Sequence, residues 1–437
     1  MRRLLFALIA LAVLAGLLLD APGARALAPD TAYNRARDAY AFMQARFALG
    51  DGSLFRQSVP ALPTDRKYSY AWPFARALAA TVAVAGLPGG DQAALARAQL
   101  LRKSYFANYW DAASRPPGGA SYPLPDGGGD KYYDDNAWDG LNLIAVYRAT
   151  GDPAALDEAS RAFAFVVSGW DGDPKHPSPG GVFWTQSPTN PTRDRNVVST
   201  APTAELALEL YAATGDRGFL DWARRLFDWV ERTLKDPADG LYWDHIELDG
   251  RIEKTKWSYN QGTMLGAAAL FYRYTGDTGY LNRGRQIAAA SRAFYGAGDR
   301  LWQQDPPFNA VYFHNLQLLA LTAGDEASFA YLGPLTDYLD RAWSQGRDPA
   351  SGLLHFGRSG PVPLVNQAAA VELFALLATS QPGAGPFADG RYRPVWERAD
   401  APVAAGVASR TWLWGPGPAR DGQWERFDEG VNGQRLV

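Results

Sequence analysis

The chain has 437 residues, a formal net charge of −3 at pH 7 and no cysteine. A charge this close to neutral gives no electrostatic reason to expect nucleic acid or anionic lipid as a partner. The lack of cysteine excludes disulfides and an N-terminal lipid-modified cysteine. Aromatic residues are abundant, with 15 tryptophans, 21 tyrosines and 20 phenylalanines. Aromatic rings fill hydrophobic cores, and their faces also suit the apolar faces of sugar rings.

The first 26 residues are predicted to be a cleavable secretory signal. Two arginines precede an uncharged apolar run at Leu4–Leu19, and small residues follow it. The run is shorter than the ~20 residues that span a bilayer comfortably, so we favour cleavage near Leu27 or Pro29 over an uncleaved membrane anchor. The protein is then expected to be secreted or to lie at the cell surface.

A Gly-Asp pair recurs along the chain, three times within Thr-Gly-Asp. The five pairs begin at Gly90, Gly151, Gly215, Gly276 and Gly324. Glycine is common just after a helix ends and aspartate just before the next one begins, and helical periodicity flanks each pair. The repeating unit is therefore predicted to be a helical hairpin.

The two helices of each hairpin differ in polarity. The helix after the turn is amphipathic, as in Arg217–Lys235, which has an apolar stripe opposite charged residues. The helix before the turn is apolar nearly all round, as in the uncharged stretch Gly262–Tyr272, and must be buried on most sides. The first kind is predicted to form an outer layer and the second an inner ring.

Six inner and six outer helices are predicted in alternation over residues 29–380. The inner helices are Trp72–Val84, Asn136–Thr150, Thr203–Thr214, Gln261–Thr275, Asn315–Thr322 and Asn366–Thr379. The outer helices are Thr31–Phe47, Gln92–Trp110, Pro153–Ser168, Arg217–Lys235, Thr278–Phe294 and Glu326–Trp343. This order predicts an all-α fold, an (α/α)6 barrel. An open solenoid is the alternative, but solenoid helix pairs usually repeat at ~34 to 47 residues, so closure is favoured.

Residues 381–437 are rich in Pro and Gly and contain four tryptophans. They lack a helical period, so we expect a short irregular extension that packs on the barrel. A small sugar-binding appendage is the alternative.

If the barrel closes, the N-terminal ends of all inner helices meet at one rim. Tyrosines, tryptophans, amides and hydroxyls occur at several of these ends, and two adjacent acids, Asp134 and Asp135, occur at one. Convergent polar groups at the mouth of an apolar cylinder are typical of a ligand pocket. The simpler interpretation of the acid pair is an N-cap followed by a first-turn acid.

The segments around this rim resemble glycoside hydrolase family 76, the endo-α-1,6-mannanases and related transglycosidases. The matching segments, spread over about residues 68–295, are YYDDNAW at Tyr132–Trp138, PGGVFW at Pro179–Trp184, Asn196 to Ser199, GLYWD at Gly240–Asp244 and SYNQG at Ser258–Gly262. The region Phe313–Asn315 departs from the family. The resemblance implies Asp134 as nucleophile, Asp135 as general acid/base, and α-mannan or another mannose polysaccharide as substrate.

Further rim residues are candidates for binding the sugar. They are Tyr133, Trp138, Asn196, Asp244, Tyr259, Asn260 and Gln261. Core packing is the alternative for Tyr133 and Trp138, helix capping for Asn260, and a loop end for Asp244. The four histidines are scattered, which disfavours a zinc site. The Asp/Gly-rich loops at Asp126–Asp130 and Asp171–Asp173 lack the alternating oxygen ligands of a calcium loop, so no metal or other cofactor is expected. We expect the protein to act as a monomer.

Adjacent aspartates also bear on stereochemistry. Neighbouring Cα atoms lie about 3.8 Å apart, so the two carboxyl groups can adopt the ~5 to 5.5 Å separation of retaining glycosidases. If instead only one of them is catalytic and Asp244 is its partner, inversion is expected. Three other functions stay open: a transglycosylase using the same site, a glycan-binding protein without activity, and a sugar epimerase, which would need a basic or imidazole pair.

Overall fold

The computed structural model describes residues 29–187 and 193–380, together with two strands at 410–412 and 426–428. The predicted signal at residues 1–26 lies outside the described residues, as does most of the extension at 381–437. In that extension, Arg410–Trp412 pairs antiparallel with Arg426–Asp428. No helix within the described ranges is both long and apolar enough to cross a bilayer.

Helices dominate the structure. In chain order they are α1 (Pro29–Phe47), α2 (Ala71–Ala85), α3 (Gln92–Asn108), α4 (Tyr133–Thr150), α5 (Pro153–Val167), α6 (Val197–Thr214), α7 (Arg217–Thr233), α8 (Ser258–Thr275), α9 (Thr278–Tyr295), α10 (Arg300–Gln303), α11 (Pro306–Ala323), α12 (Glu326–Phe329), α13 (Gly333–Gln345) and α14 (Leu364–Thr379). Two 3-10 turns lie at Leu124–Asp126 and Ala330–Leu332.

The inner ring consists of α2, α4, α6, α8, α11 and α14. Each of these helices packs on the next one, and α14 packs on α2, so the ring closes. The helices α1, α3, α5, α7, α9 and α13 lie outside it. Helix α1 packs on α14, so the first outer helix and the last inner helix complete the circle. The predicted (α/α)6 barrel is confirmed, and the open solenoid is excluded.

The Gly-Asp repeats make the turns between the layers. Four inner helices end at a glycine whose φ lies between 69° and 75°, a left-handed conformation that suits glycine. The aspartate that follows each of them caps the next helix: for example, Asp152 accepts a hydrogen bond from the Ala154 N–H and Asp216 one from the Gly218 N–H. The turn chemistry predicted from the repeats is therefore present.

All six inner helices begin before their predicted first residues, by one to three residues in α2, α4, α8 and α14, by six in α6 and by nine in α11, and the last outer helix is interrupted. Helix α11 begins at Pro306, nine residues before the predicted Asn315, because prolines are favoured in the first turn of a helix, where no backbone N–H is needed. Residues 313–315 thus lie inside the helix rather than at the rim. The last outer helix was predicted to be continuous but is interrupted before Gly333-Pro334, since proline cannot donate the next backbone bond.

Short strands connect the helices on the rim. They are β1 (Ala48–Leu49), β2 (Leu54–Phe55), β3 (Ser58–Val59), β4 (Trp110–Asp111), β5 (Gly118–Gly119), β6 (Arg195–Asn196), β7 (His245–Ile246), β8 (Ile252–Glu253) and β9 (Val362–Pro363), followed by β10 and β11 in the extension. Strand β3 pairs antiparallel with β9, which joins the first and last rim loops. Strands β6, β7 and β8 form a three-stranded antiparallel sheet beside the start of α6.

Candidate active site

The acid pair lies in the first turn of α4, which begins at Tyr133. Tyr132, not an acid, holds the N-cap position and makes no side-chain capping bond, and the two acids follow it within the first turn. The Oδ2 atom of Asp134 accepts a hydrogen bond from Nε1 of Trp184 over 3.2 Å, whereas its Oδ1 atom has no partner among the described residues. Both acids are partly exposed. Capping therefore does not explain the pair.

The environments of the two carboxyl groups favour different protonation states. Burial raises the pKa of Asp134 to about 7, and the Trp184 N–H and nearby backbone amides oppose the rise. Burial also raises the pKa of Asp135, well above its ordinary value, and the charges of Asp134 and Asp139 raise it further. Asp134 has donors that stabilise its charge and Asp135 has none. Asp134 is thus the group that ionises more readily, and Asp135 the one that keeps its proton.

The loop that carries Trp184 is fixed against α4 by backbone contacts. The Tyr133 N–H donates to the Trp184 carbonyl over 2.9 Å, and Tyr132 forms an isolated bridge with Thr185. At the other end of the PGGVFW segment, Gly180 and Gly181 have φ values of 113° and 74°. A Cβ atom on either residue would come within 2.5 Å of the Trp229 indole, so only glycine fits.

A buried ion pair anchors the same loop to the barrel. Arg195 is fully buried, and its Nη1 atom lies 2.5 Å from Oδ2 of Asp171, which is also buried. The guanidinium donates further hydrogen bonds to the carbonyls of Pro177 and Glu247. One side chain therefore joins three loops next to the acid pair.

A second hydrophobic cluster lies apart from the main core between the layers. Five inner helices, or the residues just before them, contribute its side chains. It contains Trp72, Trp138, Leu141, Val198, Trp257, Tyr259, Phe308 and Val311. Tyr259 packs edge to face on Phe308 with ring centroids 4.1 Å apart, and Phe308 also contacts Trp72 and Trp257. Trp138, Tyr259 and Val311 are the buried centre of this cluster, whereas Trp72, Trp257 and Phe308 are partly exposed and offer ring faces of the kind that a sugar can contact.

A histidine surrounded by three carboxylates lies on the β6–β7 side of the pair. His245 Nδ1 is 2.9 Å from Oδ2 of Asp244 and 3.6 Å from Oδ2 of Asp194, and its Nε2 is 3.4 Å from Oε1 of Glu247. Burial lowers the pKa of His245, but the three acids more than offset that effect and raise it to about 9. Burial raises the pKa of Asp194 to about 6, with His245 opposing the rise. The imidazole is therefore cationic at neutral pH.

Several predicted binding residues meet at this place. Asp244 Oδ1 accepts a hydrogen bond from Nδ2 of Asn260 over 2.9 Å, which leaves Oδ1 of Asn260 without a partner in the described part of the chain. Tyr259 and Trp138 belong to the aromatic cluster at the mouth. Tyr259 lies within the electrostatic range of both Asp244 and Asp134, which links these contacts to the acid pair. That Asp244, Asn260, Tyr259 and Trp138 bind sugar stays a prediction.

Three other candidates lie elsewhere. Tyr133 faces the main core and stacks on Phe165, because it is one residue, about 100° around the helix, away from Asp134. Asn196 caps α6 by accepting the Ser199 N–H over 2.8 Å. The side-chain amide of Gln261 accepts a hydrogen bond from the Tyr242 N–H and donates one to the Tyr242 carbonyl, each over 2.8 Å. The structure gives these three residues structural partners and does not bring them to the cleft.

Sequence reasoning missed the roles of Trp184, Asp194, His245 and Phe308. Trp184 stands in a motif that was recognised, but its contact with Asp134 joins residues 50 positions apart. Asp194 and His245 become neighbours only because β6 pairs with β7. Phe308 was overlooked because the start of α11 was placed too late. Among the described residues, no three His, Asp or Glu side chains are arranged to hold a metal ion.

Comparison with known proteins is consistent with this site. The family model of Glycosyl hydrolase family 76 matches residues 34–339. A mannan endo-1,6-α-mannosidase of Saccharomyces cerevisiae is 28% identical over 154 residues, which make up 34% of this chain and 33% of the yeast protein. The chain thus matches about a third of the length of that curated relative.

Solved structures share the fold over most of the described barrel. A family 76 glycoside hydrolase from a bovine Bacteroides thetaiotaomicron strain superposes with a TM-score of 0.69 and 26% identity, over 79% of this chain and 77% of that one. An inactive variant of an α-1,6-mannanase of a Salegentibacter species, with two adjacent aspartates replaced by asparagine and α-1,6-mannotriose bound, gives a TM-score of 0.66 at 21% identity. It covers 80% of this chain and 100% of that chain, and at this identity it supports the fold alone.

Proposed function

This chain belongs to glycosyl hydrolase family 76, and we propose that it is a glycosidase that cleaves α-1,6-mannosidic linkages in mannan or another mannose-containing polysaccharide. The observation that carries the proposal is the adjacent pair Asp134 and Asp135, held at the mouth of an aromatic-lined barrel in environments that favour opposite protonation states. Names of related proteins support the linkage: the yeast relative is a mannan endo-1,6-α-mannosidase, and the Salegentibacter enzyme is an α-1,6-mannanase.

The proposed reaction is a double displacement with retention of configuration. In the first step, ionised Asp134 attacks the anomeric carbon, the glycosidic bond breaks, and Asp135 gives its proton to the leaving oxygen. In the second step, Asp135 takes a proton from water, and that water breaks the mannosyl ester on Asp134. The hydrogen bond from Trp184 stabilises the charge on Asp134 before attack and on the carboxylate that leaves afterwards.

Unpartnered polar atoms beside the pair support a ligand rich in hydroxyl groups. The Oδ1 atoms of Asp134, Asp194 and Asn260 are buried and have no hydrogen-bond partner in the part of the chain that the structure describes. Buried acceptors without donors are costly, so they favour a substrate that supplies O–H groups. The partly exposed rings of Trp72, Trp257 and Phe308, backed by the buried Trp138 and Tyr259, provide apolar faces for the sugar ring.

The N-terminal sequence supports export: we infer that residues 1–26 direct the protein to the cell surface or the medium. Since a single barrel carries all the side chains named in the site, we expect the monomer to be active.

Incubation of the purified protein with α-1,6-mannan tests the activity. Size-exclusion chromatography of the products is expected to show shortened chains, and the protein with both Asp134 and Asp135 changed to asparagine serves as control. Chains that grow longer would identify a transglycosylase, in which a sugar hydroxyl replaces water in the second step. An unchanged size distribution would contradict the proposal.

A further inference from the structure

A third carboxyl group lies directly behind the catalytic pair and has no part in the proposed reaction. Asp139 follows Asp135 by four residues in α4, so both side chains project from the same face of the helix, one turn apart. Asp139 is 3% exposed, and its Oδ2 atom makes no hydrogen bond within the described ranges. A buried carboxyl oxygen without a hydrogen bond is costly, and packing alone does not account for one at this position.

A buried tyrosine of the outer layer faces this carboxyl group. The Tyr105 hydroxyl, on α3, is buried and makes no hydrogen bond of ordinary geometry among the described residues. It lies near enough to Asp139 to lower the pKa of that carboxyl group, and it is also within the electrostatic range of Asp135. The absence of a side chain at Gly119 makes room for this hydroxyl, because a Cβ atom there would clash with it. Asn136, from the first turn of α4, holds Gly119 in place through hydrogen bonds of 2.7 and 3.0 Å to its backbone. The phenol is thus fixed behind the acid pair.

We propose that Asp139 is a positioning residue that keeps the proton on Asp135, and that Tyr105 supports it by stabilising the Asp139 charge. The proposal rests on the function assigned above, in which Asp135 is the general acid/base. Once the buried Asp139 ionises, its negative charge, one helical turn from Asp135, makes ionisation of Asp135 less favourable. The leaving oxygen can then still be protonated at mildly alkaline pH. Asp139 itself does not contact the sugar.

The electrostatics agree with this geometry. Burial raises the pKa of Asp139 to about 8, with the Tyr105 hydroxyl opposing the rise. Burial is the largest cause of the raised pKa of Asp135, and the charges of Asp134 and Asp139 follow in that order. The titratable groups that interact with the Asp135–Asp139 pair are Asp134 and Tyr132 at the start of α4, and Tyr105 and Tyr109 on α3. None of these groups is a cation, so nothing among them cancels the Asp139 charge.

The test compares the pH dependence of kcat/KM on α-1,6-mannan from about pH 5 to pH 9.5 for the wild type and three variants. Asp139→Asn is expected to move the alkaline limb about one unit lower, since a neutral amide no longer opposes ionisation of Asp135. Tyr105→Phe should move it in the same direction but less, because Asp139 then ionises at higher pH. Tyr109→Phe is the matched control: its hydroxyl donates to the Ser69 carbonyl over 2.9 Å, and the limb should stay in place.

A second readout needs no turnover. Carbon-13 NMR titration of the aspartate carboxyl groups should give a lower pKa for Asp135 in Asp139→Asn than in the wild type. An unchanged alkaline limb and an unchanged Asp135 pKa in Asp139→Asn would overturn the proposal. If that variant does not fold, an unshifted Tyr105→Phe profile overturns it instead. A wild type that leaves mannan intact refutes the proposed function, whereas the NMR comparison still decides whether Asp139 acts on Asp135.

Discussion

Nε1 of Trp184 donates a hydrogen bond to Oδ2 of Asp134, with the two atoms 3.2 Å apart. This contact joins the PGGVFW loop to the first turn of α4, and it is the largest effect that opposes the burial-driven rise in the Asp134 pKa. Asp134 thus accepts a hydrogen bond from a neutral donor and Asp135 does not, which distinguishes two aspartates that are adjacent in sequence. The proposed catalytic roles, Asp134 as nucleophile and Asp135 as general acid/base, depend on this difference.

Replacement of Trp184 by phenylalanine is expected to make the enzyme less active at low pH. Loss of a hydrogen bond to a charged group costs about 1.5–3 kcal/mol, so the Asp134 pKa should rise by about one unit or more. The acidic limb of the kcat/KM profile then moves to higher pH, and activity near pH 5 falls about tenfold. Trp243→Phe is the matched control, because the Trp243 indole donates over the same 3.2 Å to Asp236, outside the catalytic pair. A Trp184→Phe profile that overlays the control would contradict this role.

Asp134→Asn and Asp135→Asn should each reduce turnover by about 10³-fold or more while the protein stays folded. Both carboxyl groups have raised pKa values, because the folded protein disfavours their charged forms. A neutral asparagine does not carry that cost. The thermal midpoint at pH 8 should therefore be equal to that of the wild type or higher. Circular dichroism and mannan assays on the same samples measure both effects. Substantial residual activity in either variant would disprove the assignment, and unfolding of both would point to a structural role for the pair.

Asp171→Asn is expected to destabilise the fold by about 3 kcal/mol or more, because it leaves the fully buried Arg195 guanidinium without its counter-ion. Urea denaturation at pH 7 measures the change in the free energy of unfolding. Asp221→Asn provides the comparison: Asp221 pairs with Arg224 over 3.3 Å at the surface, and its loss should cost no more than about 1 kcal/mol. Equal effects of the two substitutions would contradict the anchoring role of Arg195.

The folded protein should become less stable as the pH rises from about 6.5 to 8.5. The pKa values of Asp134 and Asp139 are raised to about 7 and about 8, mainly by burial, so the folded state keeps protons that the unfolded state has already lost. His245, whose pKa its three carboxylate neighbours raise to about 9, acts in the same direction. The opposing group His314, with a pKa lowered by burial to about 4, titrates below this window.

Calorimetry across this range should therefore give a falling melting temperature. The slope should be smaller in Asp139→Asn, which removes one of the contributing groups. A melting temperature that is constant or rises with pH would show that these groups do not titrate as described.

Much of the fold could be predicted from the sequence because the signal was local and repeated. Each Gly-Asp turn ends one helix and caps the next, and the contrast between an apolar and an amphipathic helix assigns the layers. The start of α11 was misplaced because Pro306 and Pro307 interrupt the apolar pattern, although prolines there begin a helix rather than end one. Ring closure itself was an inference from spacing, which the packing of α14 on α2 confirms.

The site was harder to predict than the fold. Asp134 and Trp138, four residues apart, share a helix face, whereas Tyr133 is rotated away, a distinction that helical geometry could have made in advance. In the same way Asn260 turns to the cleft and contacts Asp244, while the next residue, Gln261, holds the Tyr242 backbone. The contact of Trp184 with Asp134, by contrast, depends on how a long loop folds back, and no local pattern encodes it.

Proton NMR of the first turnovers on α-1,6-mannan tests the central claim most directly, because one spectrum reports both cleavage and stereochemistry. Attack by Asp134 with Asp135 as the adjacent acid predicts that new reducing ends appear first as the α-anomer and equilibrate to the β-anomer later. An initial β-anomer signal would contradict the adjacent-pair mechanism and favour a distant partner such as Asp244. The absence of any new reducing end would contradict the glycosidase activity itself.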